Sequence, residues 1–222
     1  MLFDEVELWD VAAVMQLASL AGRHWNWRPF RLLPTAQKAG LVETRSQLRL
    51  EAQYTLGNCP EPEILLVPGG YGARRAAQSA LVTDWCKRVW PRLELALAIG
   101  SGVLVLGAAG LLDGEEVAVS RENREAFAAE LPNTRCIEVN GIEANRVDGN
   151  GHQIKAGPAD DVVRSPSGKV FSCASSAGAV ELGLALVERC LGKRLAGGLR
   201  HSVLPPATTR LELIEQKLEL PR

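Results

Sequence analysis

Short apolar runs of strand length alternate along this chain with stretches whose apolar residues recur at helical spacing. The pattern predicts an amphipathic helix from about Trp9 to Leu20 and a helix from Leu81 to Trp90. A small-residue helix follows from Val103 to Leu112, and another from Ala179 to Leu191 is ended by Gly192. Strands are expected at the stub Leu2-Phe3, at Trp25 to Leu33, at Leu48 to Ala52 and at Val170 to Cys173. Ile64 to Val67 reads as a short buried strand stopped by Pro68-Gly69-Gly70, and the unbroken apolar run Leu95 to Ile99 as the central strand. Asp148-Gly149-Asn150-Gly151 is a hairpin turn signal between Ile142–Val147 and Gln153–Lys155. Strands that are apolar on both faces must be covered on both. The expected fold is therefore α/β: a three-layer sandwich with a mostly parallel, flavodoxin-like sheet, helices on both faces and one extra β-hairpin. One domain is expected over residues 1–204, with the hairpin inserted at about 140–160. Residues 205–222 form a tail that reads as a short appended helix.

Composition narrows the classes. The 222 residues are 46% apolar and 23% charged, with a formal net charge of −1. That supports one substantial core and gives no basic stripe for nucleic acid. No apolar run approaches the ~18 residues of a membrane span, and the acidic start Met1-Leu2-Phe3-Asp4-Glu5 is unlike a signal peptide, so a cytoplasmic location is expected. The five cysteines (Cys59, Cys86, Cys136, Cys173, Cys190) are odd in number and never form C-x-x-C. Reduced, mostly buried thiols are expected, with no metal and no cofactor.

The candidate chemistry centres on Ala98-Ile99-Gly100-Ser101-Gly102, where a strand breaks at a glycine pair into a helix. Such a turn sets one residue on a strained corner, and in an enzyme that residue is Cys or Ser. Here it is Gly100, which carries no side chain. Ser101 does not make a nucleophile elbow, because G-x-S-x-G would require glycine at Ile99 and Val103; it reads as a helix cap. His24, His152 and His201 read as surface residues, and Gly100, Gly102 and Gly107 miss the spacing of a dinucleotide loop. Asp10 is either a ligand-facing carboxylate or an acid in the first turn of its own helix. Gly69 and Gly70 form either a pocket wall or a plain turn, and Arg74 and Arg75 line a pocket rim or start a solvated helix. Cys173, at a strand end near the same sheet edge, is either an inert core thiol or a relocated nucleophile.

Four motifs stand in order: Leu2-Phe3-Asp4 with Glu7-Leu8-Trp9-Asp10, Leu65-Leu66-Val67-Pro68-Gly69-Gly70, Ala108-Ala109-Gly110-Leu111-Leu112-Asp113-Gly114, and Ser176-Ala177-Gly178 leading to Leu186-Val187-Glu188, within a match that spans roughly residues 2–204. Together they resemble the ThiJ/PfpI superfamily, with its class I glutamine amidotransferase-like fold, and especially its isonitrile hydratase-like and AraC-regulator-associated branch. The resemblance implies that Gly100 falls on the catalytic cysteine of S-V-C-T-G and Ser101 on the threonine. Ser120, within Val117-Ala118-Val119-Ser120-Arg121, falls on the histidine of A-T-T-H-W. Asp10 falls on the acid that serves the nucleophile, and Gly69 and Gly70 on a wall whose amides approach an oxyanion. No catalytic residue is then assigned, and Asp10, Gly69, Gly70, Gly100, Ser101 and Arg75 are the ligand-binding candidates. The implied protein is a small-molecule-binding or regulatory pseudoenzyme and a homodimer. The alternative is a lyase or hydrolase resembling isonitrile hydratase that works through Asp10, Ser101 and backbone amides; a ligand-free structural dimer is the third reading. Residues 205–222 are too few for the regulators' helix-turn-helix segment, so direct nucleic-acid binding is not expected. Relative to the family the first strand is nearly missing, which implies a start upstream of Met1.

Overall fold

The structure, a computed structural model, describes residues 1–23, 26–139, 145–147, 153–155 and 161–203. In chain order its elements are α1 (Leu8–Leu20), β1 (Thr35–Ala36), β2 (Gly40–Glu43), β3 (Arg49–Ala52), β4 (Tyr54–Thr55), β5 (Ile64–Val67), α2 (Ala73–Gln78), α3 (Ala80–Val89), β6 (Leu95–Ile99), α4 (Gly102–Ala108), β7 (Glu116–Val119), α5 (Arg124–Glu130), β8 (Arg135–Glu138), β9 (Asn145–Val147), β10 (Gln153–Lys155), β11 (Val162–Arg164), β12 (Val170–Cys173), α6 (Ala179–Leu191) and α7 (Lys193–Val203). Every residue of β6 is buried, as its unbroken apolar sequence requires. It lies inside a four-stranded sheet of order β11-β12-β6-β5, in which β5, β6 and β12 are parallel and β11 is antiparallel to β12. The register sets Ile64 opposite Leu95 and Val67 opposite Ala98. β5 and β6 therefore finish at one end of the sheet, with Gly69-Gly70 and Gly100 just beyond them, where crevices open in α/β sheets.

Alternation along β6 builds the two outer layers. Leu95, Leu97 and Ile99 pack with Ala13 and Val14 of α1 and Leu182 and Leu186 of α6. Ala96 and Ala98 face the other way, toward Trp85 of α3 and Val103 and Leu104 of α4. Burying a Leu or Ile side chain fully contributes ~1.5–3 kcal/mol, so this strand anchors both cores. The alanines on the α4 side let that helix sit close. A Cβ on Gly102 would stand 2.3 Å from the Val67 carbonyl oxygen, so only glycine admits the approach. The fold is thus α/β, with helices covering both faces of a mostly parallel sheet. Smaller pairs surround it: β7 with β8 and β1 with β4, both parallel, and the antiparallel β2–β3 and β9–β10.

Several expectations are corrected. Residues 26–33 form no strand: Asn26 has a left-handed φ of 50°, and Pro29 has no N–H to give to a ladder. Leu2-Phe3 is not a regular strand either, although the Leu2 N–H reaches the Thr35 carbonyl at 2.6 Å. The helix after the corner stops at Ala108 rather than Leu112, because Gly110 turns the chain with φ +68°. An unexpected helix, α7, packs on α6. The hairpin strands β9 and β10 are present, while residues 142–144, the turn 148–151 and the tail 205–222 lie outside the described residues. No helix among the described residues is long and apolar enough to cross a membrane.

Candidate functional site

Three segments converge at the carboxyl edge of the sheet: Asp10 from α1, Gly69-Gly70 after β5, and Gly100-Ser101 after β6. Gly100 has φ +50° and donates its N–H to the Cys173 carbonyl of β12 at 2.8 Å. An ideal Cβ there would meet nothing closer than the Ala174 carbonyl oxygen, 3.4 Å away. The Gly69 N–H donates to Asp10 Oδ2 at 2.8 Å. A Cβ on Gly69 would press on that same oxygen and on the Ile99 carbonyl, each at 3.0 Å. Gly70, with φ +125°, threads between β5 and residues 5–7, where a Cβ would stand 2.4 Å from the Glu5 carbonyl oxygen. Its peptide holds Ser101: Oγ accepts from the Gly70 N–H and donates to the Gly70 carbonyl, both at 3.1 Å. The two amides that the sequence suggests for an oxyanion are therefore bonded within the protein, one to Asp10 and one to Ser101.

Asp10 is 1% exposed. Loss of solvent pushes its carboxyl above the usual aspartate range, and the charge of Glu7 adds to the rise. The Ser176 side chain and the Gly69 N–H oppose it. Ser176 nevertheless makes no hydrogen bond of normal geometry to Oδ1, which is left without a partner among the described residues. An orphaned buried oxygen in a native site asks for an explanation. Cys173, at the end of β12, is fully buried, and desolvation, followed by the nearby Asp10 charge, drives its thiol far up. Full burial and a raised thiol favour the reading of Cys173 as an inert core residue over that of a relocated nucleophile.

The remaining candidates are spread out. Arg75, on α2, is exposed and gives its guanidinium to Glu5 at 2.6 Å, a surface ion pair that Arg45 also joins at 3.7 Å. Arg74 pairs with Glu130 of α5. Ser120, at the end of β7, accepts from Asn123 Nδ2 at 3.0 Å. His201 is exposed on α7, while His24 and His152 lie outside the described residues. Among the described residues no group of three or more His, Cys, Asp or Glu side chains is arranged to hold a metal ion. Ser176 enters the site from the turn after β12; its small-residue motif was visible in sequence, but its closeness to Asp10 depends on how β12 pairs with β6.

Residues 1–142 match the model of the DJ-1/PfpI family. The chain belongs to that family. Among curated proteins it is similar to an isonitrile hydratase of Pseudomonas putida, 30% identical over 118 residues. The match takes in 52% of this chain and 48% of the relative, so the chain spans about half the length of the curated relative it matches. Among solved structures it is similar to a ThiJ/PfpI family protein from Pseudomonas syringae, with TM-score 0.69 and 20% identity over 97% of this chain and 83% of that one. It is also similar to an AraC family transcriptional regulator from Pseudomonas putida, with TM-score 0.67 and 19% identity over 90% of this chain and 95% of the other. An oxidized DJ-1 from Toxoplasma gondii gives 0.66 and 19%, over 90% and 94%. These likenesses establish the DJ-1-like fold.

Proposed function

We propose that this protein is a non-catalytic DJ-1/PfpI family member that holds a small polar molecule at the Asp10–Gly100 corner. The observation that carries the reading is Gly100, left-handed at φ +50° and without a side chain, at the position that corresponds in the motif resemblance to the nucleophilic cysteine. Nucleophilic catalysis needs an attacking heteroatom and a group that activates it. Ser101, the next residue, has its hydroxyl engaged on both sides by the Gly70 peptide, and Ser120 occupies the histidine position of the same resemblance. Asp10 then serves recognition. Its unpartnered Oδ1 is a buried polar atom whose isolation costs ~1–3 kcal/mol, and a ligand N–H or O–H would remove that cost. The space beyond Gly100, free of side-chain atoms within van der Waals contact of an ideal Cβ, favours a small molecule there.

A second reading, a hydratase or hydrolase, is favoured by the raised Asp10 carboxyl, a property suited to a general acid. Purified protein assayed with isonitriles, amides and aldehydes separates the two. The expected result is turnover no faster than buffer, together with ligand-induced shifts of the Gly69 and Gly100 amide resonances that Asp10→Asn weakens. Protein-dependent turnover that Asp10→Asn abolishes selects the enzyme instead.

A further inference from the structure

Three glycine amides meet at the carboxyl end of the sheet, and all three are spent inside the protein. Gly69 donates to Asp10 Oδ2, Gly70 to Ser101 Oγ and Gly100 to the Cys173 carbonyl. What the corner offers instead is acceptors. Asp10 Oδ1 is buried and takes no hydrogen bond among the described residues. The Ala174 carbonyl, on the turn after β12, takes none among them either. Its neighbours are used: the Cys173 oxygen takes the Gly100 N–H at 2.8 Å, and the Ser175 oxygen takes the Gly178 N–H at 3.0 Å. Adjoining residues aside, the Ala174 oxygen is the one heavy atom among the described residues within 4 Å of the point a Gly100 Cβ would occupy, at 3.4 Å. Asp10 reaches the same place from α1. Its Oδ2 is pinned by Gly69 beside the Ile99 carbonyl, and the Ser176 side chain, two residues past Ala174, lies close enough to act on its carboxyl. Gly100, Ser101, Ala174, Ser175 and Ser176 are each partly exposed, so solvent reaches the corner from this side. Charge runs the same way: Glu7 acts on Asp10, and Asp10 and Asp161 both act on Cys173 behind it. Arg45 and Arg75 are turned to Glu5 instead.

We propose that the molecule held at this corner is a small primary amine in its ammonium form, its first carbon in the space a Gly100 side chain would fill and its N–H groups on Asp10 Oδ1 and the Ala174 carbonyl. This rests on the reading of the corner as a ligand site and names the chemistry of the ligand. A primary ammonium carries three donors and no acceptor, which suits a corner whose glycine amides are spent and whose acceptors are not. It also supplies the opposite charge that a desolvated carboxylate needs. A carboxylate or phosphate ligand would meet Glu7, Asp10 and Asp161 with none of the three glycine amides to receive it. A quaternary ammonium would bring the charge but no N–H, and both acceptors would stay unsatisfied. Size is set by Gly100: a single carbon fits where its Cβ would stand, in ordinary contact with the Ala174 oxygen.

Amide NMR titration of the whole chain with methylammonium, tetramethylammonium and acetate, at constant ionic strength, tests it. Methylammonium is expected to shift the Gly69, Gly100 and Ser175 resonances saturably, and the other two ions to bind at least ~10-fold more weakly, the loss expected for a missing charge-assisted hydrogen bond. Asp10→Asn keeps the shape and removes the charge, and is expected to weaken methylammonium by ~10-fold or more. Gly100→Asn fills the space with a residue that tolerates a left-handed backbone, and is expected to abolish the shifts. If Gly100→Asn gives no folded spectrum, Asp10→Asn decides alone. Acetate shifting these amides more strongly than methylammonium, in a way that Asp10→Asn alters, overturns the amine and leaves the corner a ligand site. Equal affinities for the two ammonium ions overturn it, because charge alone then suffices. Shifts that Asp10→Asn leaves unchanged overturn it by placing the amine elsewhere. No saturable shift with any of the three ions up to ~100 mM overturns it together with the reading of the corner as a ligand site.

Discussion

At the scale of single residues, Asp10 carries most of what is unusual about this molecule. Its folded carboxyl titrates above the unfolded value of 3.8, mainly because it is desolvated. A group whose pKa is raised on folding binds its proton more tightly when folded. It therefore favours the folded state most at low pH, and that contribution is lost as pH rises through the folded value. Asp10→Asn removes the titration. The stability of the natural protein relative to Asp10→Asn is thus expected to fall as pH rises above about 4, measured by urea unfolding at pH steps from 4 to 8. A difference that stays flat, or that grows with pH, would mean that the carboxyl is solvated or ion-paired. The residue types of this corner were legible in sequence, because Gly100, Gly69-Gly70 and Asp10 stand in recognisable motifs. What could not be read was the use of the two amides. Gly69 N–H meets Asp10 and Gly70 N–H meets Ser101 only because Gly70 turns with φ +125° and α4 starts against the Val67 carbonyl.

Among elements, the apolar strands were the easiest to foresee. β5 and β6 are apolar at every position, so their sequences carry an uninterrupted signal, and they pair in parallel as the alternation predicts. The two-residue strands β1 and β4 are too short for any period to show. The helix α7 was missed because Gly197-Gly198 breaks its propensity; its buried Ala196 and Leu199 meet α6 only in the folded molecule. What fixes α7 is an ion pair. Glu181 of α6, 4% exposed, takes both guanidinium nitrogens of Arg200, one of them at 2.7 Å. Removing one partner of a buried pair typically costs ~3–5 kcal/mol, and the partial exposure of Arg200 at 37% lets water reach the stranded carboxylate. Arg200→Ala is therefore expected to lose about 2–3 kcal/mol of stability in urea unfolding at pH 7. Arg75→Ala, at an exposed pair with Glu5, should lose no more than ~1 kcal/mol. Equal losses from the two would show that burial does not strengthen the α6–α7 contact.

For the whole molecule, the five thiols provide a test that joins stability to function. Cys86 and Cys173 are fully buried, in the opposite layers that β6 holds apart, while Cys59 and Cys136 are half-buried and Cys190 is exposed on α6. Burial pushes Cys86 up to about 11, and it also raises Cys136, Cys173 and Cys190. None of these four thiols is primed as a thiolate, in contrast to a catalytic cysteine, which needs a depressed value and access to solvent. Pulse alkylation in native buffer is therefore expected to modify Cys190 first and Cys59 and Cys136 more slowly. Cys86 and Cys173 should react together, at a rate set by global unfolding, because reaching either one opens the sheet on which both cores are built. With ~5–15 kcal/mol separating folded from unfolded chains, that rate is orders of magnitude below that of an exposed thiol. Low urea should then accelerate Cys86 and Cys173 by the same factor. If Cys173 alone reacts at a rate comparable to Cys190, or is converted stoichiometrically to sulfinic acid by mild peroxide, it is reached without unfolding and is a nucleophile relocated from Gly100. The non-catalytic reading of the corner would then be withdrawn on chemical grounds, even with the fold unchanged.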